Sequence, residues 1–194
     1  WYREWAPAAL QLRLIGDFNN WNRMGHPLVR DQFGVWSLFL PDEKWEGKFV
    51  HGGKLKVHVV TEKTGSMDRI PAYIKRVVQD PFSNKGFVGQ YWEPPTPHEW
   101  KHKNPPRAAS LRIYESHIGM GQEEGKLRSF EELRKNILPR VKNLGYNAIQ
   151  LMAIQEHPYY GSFGYHVSNF FAVSSRFGTP EELKEHIDAA HGMG

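Results

Sequence analysis

Alternating apolar and polar positions mark the first part of the chain. Two runs place an apolar residue at every second position, which is the period of a strand with one buried face. The apolar positions are Leu10, Leu12, Leu14, Leu55, Val57 and Val59. A third apolar run spans residues 35–40, and turn-forming pairs such as Gly16-Asp17 separate the runs. Short strands at this spacing, without a convincing helix, predict a small β-sandwich over residues 1–93.

The pattern changes after residue 93. Residues 94–110 contain five prolines among charged and polar residues, which indicates a semi-rigid linker or a strap across a domain surface. Strand patterns at 111–118 and 148–154 are then each followed by a helix pattern, and the second strand is apolar enough to be covered on both faces. This order predicts the first two βα units of a parallel α/β domain over residues 111–194.

Both predicted helices carry local start signals. Ser129 and Glu132 have the spacing of a capping box, and Gly145 supplies a stop for the same helix. Pro139 lies inside this helix and should bend it or loosen one turn, because its ring removes a hydrogen bond. The corresponding start signals of the second helix are Thr179, Pro180 and Glu182.

Composition narrows the function classes. The 194 residues carry 25 Lys and Arg against 21 Asp and Glu, an excess too small and too scattered for a nucleic-acid-binding face. The absence of cysteine excludes disulfide scaffolds and thiolate zinc sites, and no apolar run has the length of a membrane span. The mean hydropathy of −0.61 predicts a soluble protein. Because the chain starts at Trp1 and stops soon after the second predicted helix, we expect a piece of a longer protein.

Aromatic residues cluster after the second predicted strand. The loop there contains Tyr159, Tyr160, Phe163, Tyr165 and His166. Sites of α/β enzymes form at the carboxyl ends of parallel strands, so this loop is a candidate site. Most of its rings could equally pack beneath the loop. Gly161 and Gly164 favour a tight backbone that aims one ring outward.

Titratable residues near the same strand ends give further candidates. Glu115 and Glu156 could form a carboxylate pair of the glycosidase kind, although a Glu at a strand end is more often bound to an amide or an Arg. Three histidines could converge on a metal, but they lack the spacing of a metal-binding motif. They are His117, His157 and His166. Residues 119–125 miss the spacing of a phosphate-binding loop.

Trp21 is the first candidate in the β-rich part. It follows a turn over residues 16–20 and has amide side chains beside it. The ring either packs on its own sheet or forms a platform for sugar, since flat aromatic faces stack on the C–H faces of pyranoses. Trp5, Phe33 and Lys56 could line the same face.

Five segments spread over the chain carry a family resemblance. They are WAPAA at 5–9, GDFNNWN at 16–22, HGGKLKV at 51–57, RIYESHIG at 112–119 and the run from 146 to 183. Together they resemble the 1,4-α-glucan (glycogen or starch) branching enzymes of the α-amylase superfamily, glycoside hydrolase family 13. The resemblance implies a family 48 carbohydrate-binding module with an all-β immunoglobulin-like sandwich, followed by the first part of a (β/α)8 TIM barrel.

The same resemblance implies a reaction and its partners. Family members cleave an α-1,4 glucan bond and transfer the chain to a 6-hydroxyl through a covalent glycosyl-enzyme, a retaining double displacement. This chemistry needs no metal and no organic cofactor. The expected partner is an α-glucan such as glycogen, starch or amylose, with no nucleic acid and no membrane. The full-length enzyme is expected to be a cytoplasmic monomer.

Site residues follow from the resemblance position by position. Tyr165 corresponds to the Tyr that stacks on the sugar in the −1 subsite, with His166 beside it, and Trp21 corresponds to the sugar-contacting Trp of the module. The other residues that correspond to the glucan-contacting surface are Trp5, Ala6, Pro7, Phe33, Gly34 and Lys56. Gln32 and Val35 depart from the family's pattern in that surface.

The catalytic carboxylates of the family lie on barrel strands four, five and seven, which these residues do not include. No catalytic residue is therefore expected here, and the chain alone is expected to be inactive. Two other functions stay open at this point. One is a non-catalytic glucan-binding or targeting protein, and the other is an α-amylase-superfamily hydrolase.

Overall fold

The alternating runs near the start of the chain form antiparallel strands in the computed structural model, which describes residues 1–80 and 86–194. These residues divide into two units, Trp1–Pro95 (unit 1) and Thr96–Gly194 (unit 2). The elements of unit 1 are β1 Tyr2–Trp5, β2 Ala9–Gly16, β3 Val29–Arg30, β4 Val35–Leu38, α1 Asp42–Trp45, β5 Lys54–Thr61, β6 Gly65–Arg69, β7 Arg76–Gln79 and β8 Phe87–Gln90.

Unit 1 is built from antiparallel strand pairs. Its smaller sheet has the order β1-β4-β3, and its larger set of strands runs β2-β5-β8-β7 with β6 also paired to β5. The predicted all-β architecture is confirmed. The single helical turn α1 was not predicted, and it starts directly after Pro41, with Asp42 and Glu43 in its first turn.

The predicted alternation holds for most of the core positions but fails at Leu10. Leu12 and Leu14 on β2, and Leu55 and Val57 on β5, are buried. Each buried side chain of this size contributes roughly 1.5–3 kcal/mol to stability. Leu10 is 59% exposed, because the pairing of β2 with β5 shifts register between Ala9 and Gln11. A bulge of this kind moves a side chain to the other face of the strand.

Unit 2 begins with the predicted strand, helix and strand. Its elements are β9 Ile113–His117, α2 Phe130–Glu132, a π-helical turn Leu133–Ile137, α3 Leu138–Asn143, β10 Ala148–Met152, β11 Gln155–Glu156, β12 Asn169–Val173 and α4 Pro180–Gly192. Strands β9 and β10 are parallel, as a βαβ connection requires. The antiparallel pair β11 and β12, inside the long segment before α4, was not predicted.

Both predicted helix starts are confirmed. The Ser129 hydroxyl accepts from the Glu132 amide at 3.1 Å, and the Glu132 carboxylate accepts from the Ser129 amide at 2.9 Å. Thr179 and Glu182 form the same reciprocal pair at the start of α4. Pro139 loosens its helix as expected, because the turn before it is π-helical and α3 restarts with Pro139 in its first turn.

The expectation that the second strand is covered on both faces is wrong for the described residues. No residue of β10 is fully buried, and its neighbour in the sheet is β9. The core of unit 2 lies instead between the helices and the segment before α4. It consists of Ile118, Phe130, Leu133, Phe177 and Leu183. No helix among the described residues is long and apolar enough to cross a membrane.

Part of the proline-rich segment is docked on α4. The buried Asp188 carboxylate accepts hydrogen bonds from the amides of Lys101 (3.1 Å) and His102 (2.9 Å). Burial opposes ionisation, but these amide donors hold the pKa of Asp188 below its ordinary value. The ring of Trp100 stacks on His191 with centroids 6.3 Å apart. Residues 100–102 therefore form a strap on unit 2.

Candidate functional site

An exposed aromatic patch lies on the smaller sheet of unit 1. Trp5 ends β1 opposite Val35 of β4, and its indole Nε1 donates to the Phe33 carbonyl at 3.2 Å. Trp5 is 66% exposed and Phe33 is 72% exposed. Two neighbouring large rings at this exposure are unusual for residues that only fill a core.

The turn beneath this patch is fixed by one carboxylate and one close backbone approach. Asp31 accepts from the amides of Phe33 (2.8 Å) and Val35 (2.9 Å). Gly34 has φ +80°, and a Cβ at this position would lie 2.8 Å from the Pro7 Cα. The Ala6 amide donates to the Gly34 carbonyl at 3.0 Å. The structure thus brings together five of the predicted site residues, which we call the platform: Trp5, Ala6, Pro7, Phe33 and Gly34.

Trp21 and Lys56 belong to the larger set of strands. The Trp21 amide donates to the Gly16 carbonyl at the end of β2, and its indole Nε1 donates to Asp17 Oδ1 at 2.9 Å. Trp21 is half-buried. Lys56 lies on the neighbouring strand β5, opposite Ile15. The predicted residues therefore divide between the two sheets rather than lying on one.

A cavity of about 710 Å³ also lies in unit 1, but none of the predicted site residues lines it. Its lining includes the core residues Leu14 and Leu55 and the aromatic residues Trp45 and Phe49. The platform and Trp21 are thus surface features outside this cavity.

In unit 2, the loop after β10 exposes more rings than the single one that its glycines predict. Tyr165 is 74% exposed, and His166 is also exposed. Gly164 has φ +89°, and a Cβ there would lie 2.5 Å from the Cβ of Ala153, so the loop backbone folds tightly onto the strand end. The other rings divide: Tyr159 is 65% exposed, whereas Tyr160 is half-buried near Phe177.

Two of the three histidines near this loop form ring hydrogen bonds to backbone groups. His117 Nδ1 accepts from the Gly119 amide, so its Nε2 carries the proton and donates to the Phe163 carbonyl at 2.9 Å. His157 is fully buried, donates from Nδ1 to the Gln155 carbonyl, and stacks on Tyr160. Over residues 1–80 and 86–194, no three His, Cys, Asp or Glu side chains are grouped as metal ligands.

Glu156 is a structural anchor for the loop. It is fully buried, and its two oxygens accept from the amides of His157 (3.1 Å) and Ser175 (2.8 Å). The Arg176 guanidinium lies 3.9 Å away. Glu115, by contrast, occupies an exposed position on β9. The surroundings of Glu156 are those of a carboxylate that holds backbone in place.

Left-handed backbone marks both candidate loops. Among the described residues, the non-glycine positions with positive φ are Asn20, Trp21, His26, Ala153 and Phe163. All five lie in or beside the Trp21 turn or the Tyr165 loop. Such conformations cost energy and persist only where the surroundings fix them, and they cluster at functional sites.

Comparison with known proteins extends these observations. Residues 1–83 match the carbohydrate-binding module 48 (isoamylase N-terminal domain) family. The whole chain is 50% identical over 193 residues to the 1,4-alpha-glucan-branching enzyme of Rhizophagus irregularis. It is 52% identical over 196 residues to the 1,4-alpha-glucan-branching enzyme 2-2, chloroplastic/amyloplastic, of Arabidopsis thaliana. The chain spans only 28% and 24% of the length of these relatives.

Solved structures share the fold. The putative alpha amylase from Salmonella typhimurium matches 100% of this chain and 29% of its own, with a TM-score of 0.77 and 21% identity. The pullulanase SAP of Group B Streptococcus matches 99% of this chain and 30% of its own, with a TM-score of 0.78 and 20% identity. Residues 1–83 are therefore similar to the carbohydrate-binding module 48 family, and the chain as a whole is similar to a segment that makes up about a quarter of the length of 1,4-alpha-glucan-branching enzymes.

Proposed function

We propose that this chain acts as the glucan-binding portion of a 1,4-α-glucan-branching enzyme, which transfers an α-1,4 chain to a 6-hydroxyl. Residues 1–93 serve as an immunoglobulin-like carbohydrate-binding module, residues 94–110 as a connector, and residues 111–194 as the first two βα units of a (β/α)8 barrel. The observation that carries the proposal is the identity of about 50% to branching enzymes over the entire chain.

The platform supports the glucan-binding part of the proposal. Its rings are exposed while the turn beneath them is fixed by Asp31 and by the contact of Gly34 with Pro7. A rigid aromatic surface binds a sugar ring with little loss of its own freedom. Trp21 and Lys56 add a second contact region on the neighbouring strands, suited to a polymer that extends beyond one site.

The proposed barrel gives Tyr165 and His166 their role. Both follow the carboxyl end of β10, and substrate sites of (β/α)8 enzymes form at that end of the strands. The parallel pairing of β9 and β10, joined by a helix, is how such a barrel begins. In this proposal Tyr165 stacks on the sugar in the −1 subsite, and His166 contacts it from beside Tyr165.

The reaction itself is proposed to use carboxylates that these 194 residues do not supply. A retaining transfer needs a nucleophile and an acid/base carboxyl group about 5 Å apart. Glu156 has both oxygens occupied by amides and Glu115 lies on the exposed β9 position, so neither takes these roles here. The proposed chemistry requires no metal or organic cofactor, and the complete enzyme is proposed to act as a monomer.

A binding experiment tests the glucan-binding part directly. The 194-residue chain is titrated with maltoheptaose in a calorimeter and compared with a Trp5→Ala/Phe33→Ala double variant. We expect the variant to bind about tenfold more weakly or worse, because two stacking surfaces are lost. Trp1→Ala is the matched control, since Trp1 is 73% exposed and lies outside the platform. Equal binding by all three proteins, or no binding by the unmodified chain, would contradict the proposal.

An activity assay tests the enzymatic part. The complete parent protein is incubated with linear amylose, and new α-1,6 linkages are scored against new reducing ends. Branching predicts linkages without a matching rise in reducing ends, whereas a hydrolase produces reducing ends. A complete protein that binds amylose and alters neither quantity would favour a non-catalytic glucan-binding protein.

A further inference from the structure

One carboxylate in unit 1 links the Trp21 ring to the neighbouring strand. Asp17 Oδ1 accepts from the Trp21 indole Nε1 at 2.9 Å. Its other oxygen, Oδ2, accepts from the Lys54 amide, the first residue of β5, at 2.8 Å. The Trp21 ring is therefore tied through a single side chain to the backbone of a strand that is 33 residues away along the chain (54 − 21).

The backbone of the turn is constrained independently of that carboxylate. Asn19 Oδ1 accepts from the Gly16 amide at 3.0 Å, and Asn19 Nδ2 donates to the Leu14 carbonyl at 3.1 Å. A Cβ at Gly16 would lie 2.3 Å from the Lys54 carbonyl, so the turn sits directly against β5. Asn20 and Trp21 both adopt the left-handed conformation within this frame. These bonds fix where the Trp21 backbone lies, but they leave the orientation of its ring to the side chain.

The Trp21 indole has one polar group, its Nε1–H, and this group bonds to Asp17. A ring held by this bond keeps one orientation before a ligand arrives, which lowers the entropy cost of stacking. An α-glucan is uncharged, so the charge of Asp17 is not itself needed for its recognition. Asp17 therefore aids binding by orienting the Trp21 ring.

We infer that Asp17 is the positioning residue that holds the Trp21 ring ready to bind an α-glucan. This inference rests on the proposed function. It distinguishes Asp17 from Asp31, which fixes the platform turn through backbone amides alone.

A double-mutant cycle tests the inference. Asp17→Ala removes the acceptor, and Trp21→Phe keeps an aromatic ring but removes its donor. The 194-residue chain, both single variants and the double variant are each titrated with maltoheptaose, and each is unfolded in urea so that affinity is expressed per folded molecule. We expect Asp17→Ala to weaken binding about fivefold in the Trp21 background and less than twofold in the Phe background.

A spectroscopic measurement separates positioning from general stability. The Nε1–H resonance of Trp21 should shift in Asp17→Ala before any sugar is added, because its acceptor is gone. Arg23→Gln is the matched control, since it breaks an ion pair of the same turn with Asp68 without touching the indole. It should leave both the resonance and the affinity per folded molecule nearly unchanged.

The outcomes distinguish the two proposals. If the unmodified chain binds and Asp17→Ala costs the same factor in both backgrounds, or costs nothing per folded molecule, then the inference about Asp17 is wrong and the proposed function stands. If the unmodified chain does not bind maltoheptaose, the proposed function fails, and with it any role of Asp17 in binding. A non-additive cycle together with the shifted resonance supports both.

Discussion

The Trp21 turn of unit 1 and the Tyr165 loop of unit 2 both present an aromatic ring, but the carboxylates that anchor them differ. Each presents an aromatic ring from a segment with left-handed residues, and each contains one carboxylate that accepts two hydrogen bonds. Asp17 is exposed and accepts from the ring itself as well as from the Lys54 amide. Glu156 is fully buried and bonds only backbone amides.

Because of this difference, we expect the exposed carboxylate to matter mainly for the orientation of its ring and the buried one mainly for folding stability. A buried carboxylate that satisfies amides is costly to remove, because the amides then lack partners away from water. An exposed carboxylate can be replaced by water at little cost to folding, while its effect on the ring is lost. The two loops should therefore respond in opposite ways when their anchors are removed.

The largest expected effect follows removal of the buried anchor. Glu156→Ala should lower the free energy of unfolding of unit 2 by about 4 kcal/mol, because two amides lose their acceptor and a cavity forms. Hydrogen exchange of unit 2 amides in increasing urea measures this. Glu115→Ala, at an exposed position, is the control and should cost less than about 0.5 kcal/mol. Asp17→Ala should cost no more than about 1 kcal/mol. Similar losses for Glu156→Ala and Asp17→Ala would end the distinction.

Acid should weaken unit 2 through His186. Burial, with Arg134 and Arg128 nearby, lowers the pKa of His186 on α4 from 6.5 to about 4. Because the unfolded chain binds this proton more readily, the stabilising contribution is complete above pH 6.5 and is lost as the pH falls towards 4. The loss should reach about 3 kcal/mol. Urea titrations at pH 7, 5.5 and 4.5 measure it.

Two variants of α4 control the pH experiment. His186→Leu should flatten the pH dependence between 6.5 and 4, whereas His191→Gln, which changes a less buried histidine, should preserve it. In unit 1, the Arg23 hydrogen bond, opposed by burial, holds the pKa of Asp68 below its ordinary value, so its contribution should be lost only at lower pH. A unit 2 stability that stays constant between pH 7 and 4.5 would contradict the prediction for His186.

A smaller effect is expected at the tight approach beneath Tyr165. Gly164→Ala should destabilise unit 2 by about 2 kcal/mol, because φ is +89° and the new Cβ would meet Ala153. Gly125→Ala is the matched control, since nothing lies within 4 Å of a Cβ there. Urea denaturation of both variants checks the difference. Equal stability of the two would show that the loop relaxes around the added methyl group.

The smallest effect is expected at the far side of the Trp21 turn. Asp68→Asn weakens its ion pair with Arg23 and should cost about 0.5 kcal/mol, since the pair is partly exposed to solvent. The cost should shrink in 1 M NaCl, which urea denaturation at two salt concentrations would show. A loss as large as that of Glu156→Ala would mean that the turn of unit 1 also depends on an anchor for its folding.

Local signals in the sequence predicted the local structure well. The capping boxes at Ser129 and Thr179, and the loosened turn before Pro139, depend on residues within one helical turn of each other. The bulge that exposes Leu10 depends on how β2 meets β5, some 50 residues later. The docking of His102 on Asp188 spans 86 residues, and no local pattern reveals it.

The candidate sites show the same limit. The exposed rings of Trp5, Phe33 and Tyr165 lie at positions that the family resemblance indicated. Only the folded structure shows which of the predicted residues of unit 1 lie on the same sheet. Asp17 lies four residues before the Trp21 it holds, so its role had a local signal. Glu156 reaches the Ser175 amide 19 residues later, and only the pairing of β11 with β12 makes that contact possible.

The strap on α4 has a practical consequence for dissecting the protein. Trypsin should cut slowly after Lys101 while Asp188 holds the Lys101 amide and the His102 amide, which is the nitrogen of the bond to be cut, and quickly once Asp188→Ala frees them. A shortened polypeptide that starts at Leu111 would lose this protection together with the cover over His191. One that starts at Thr96 would keep both.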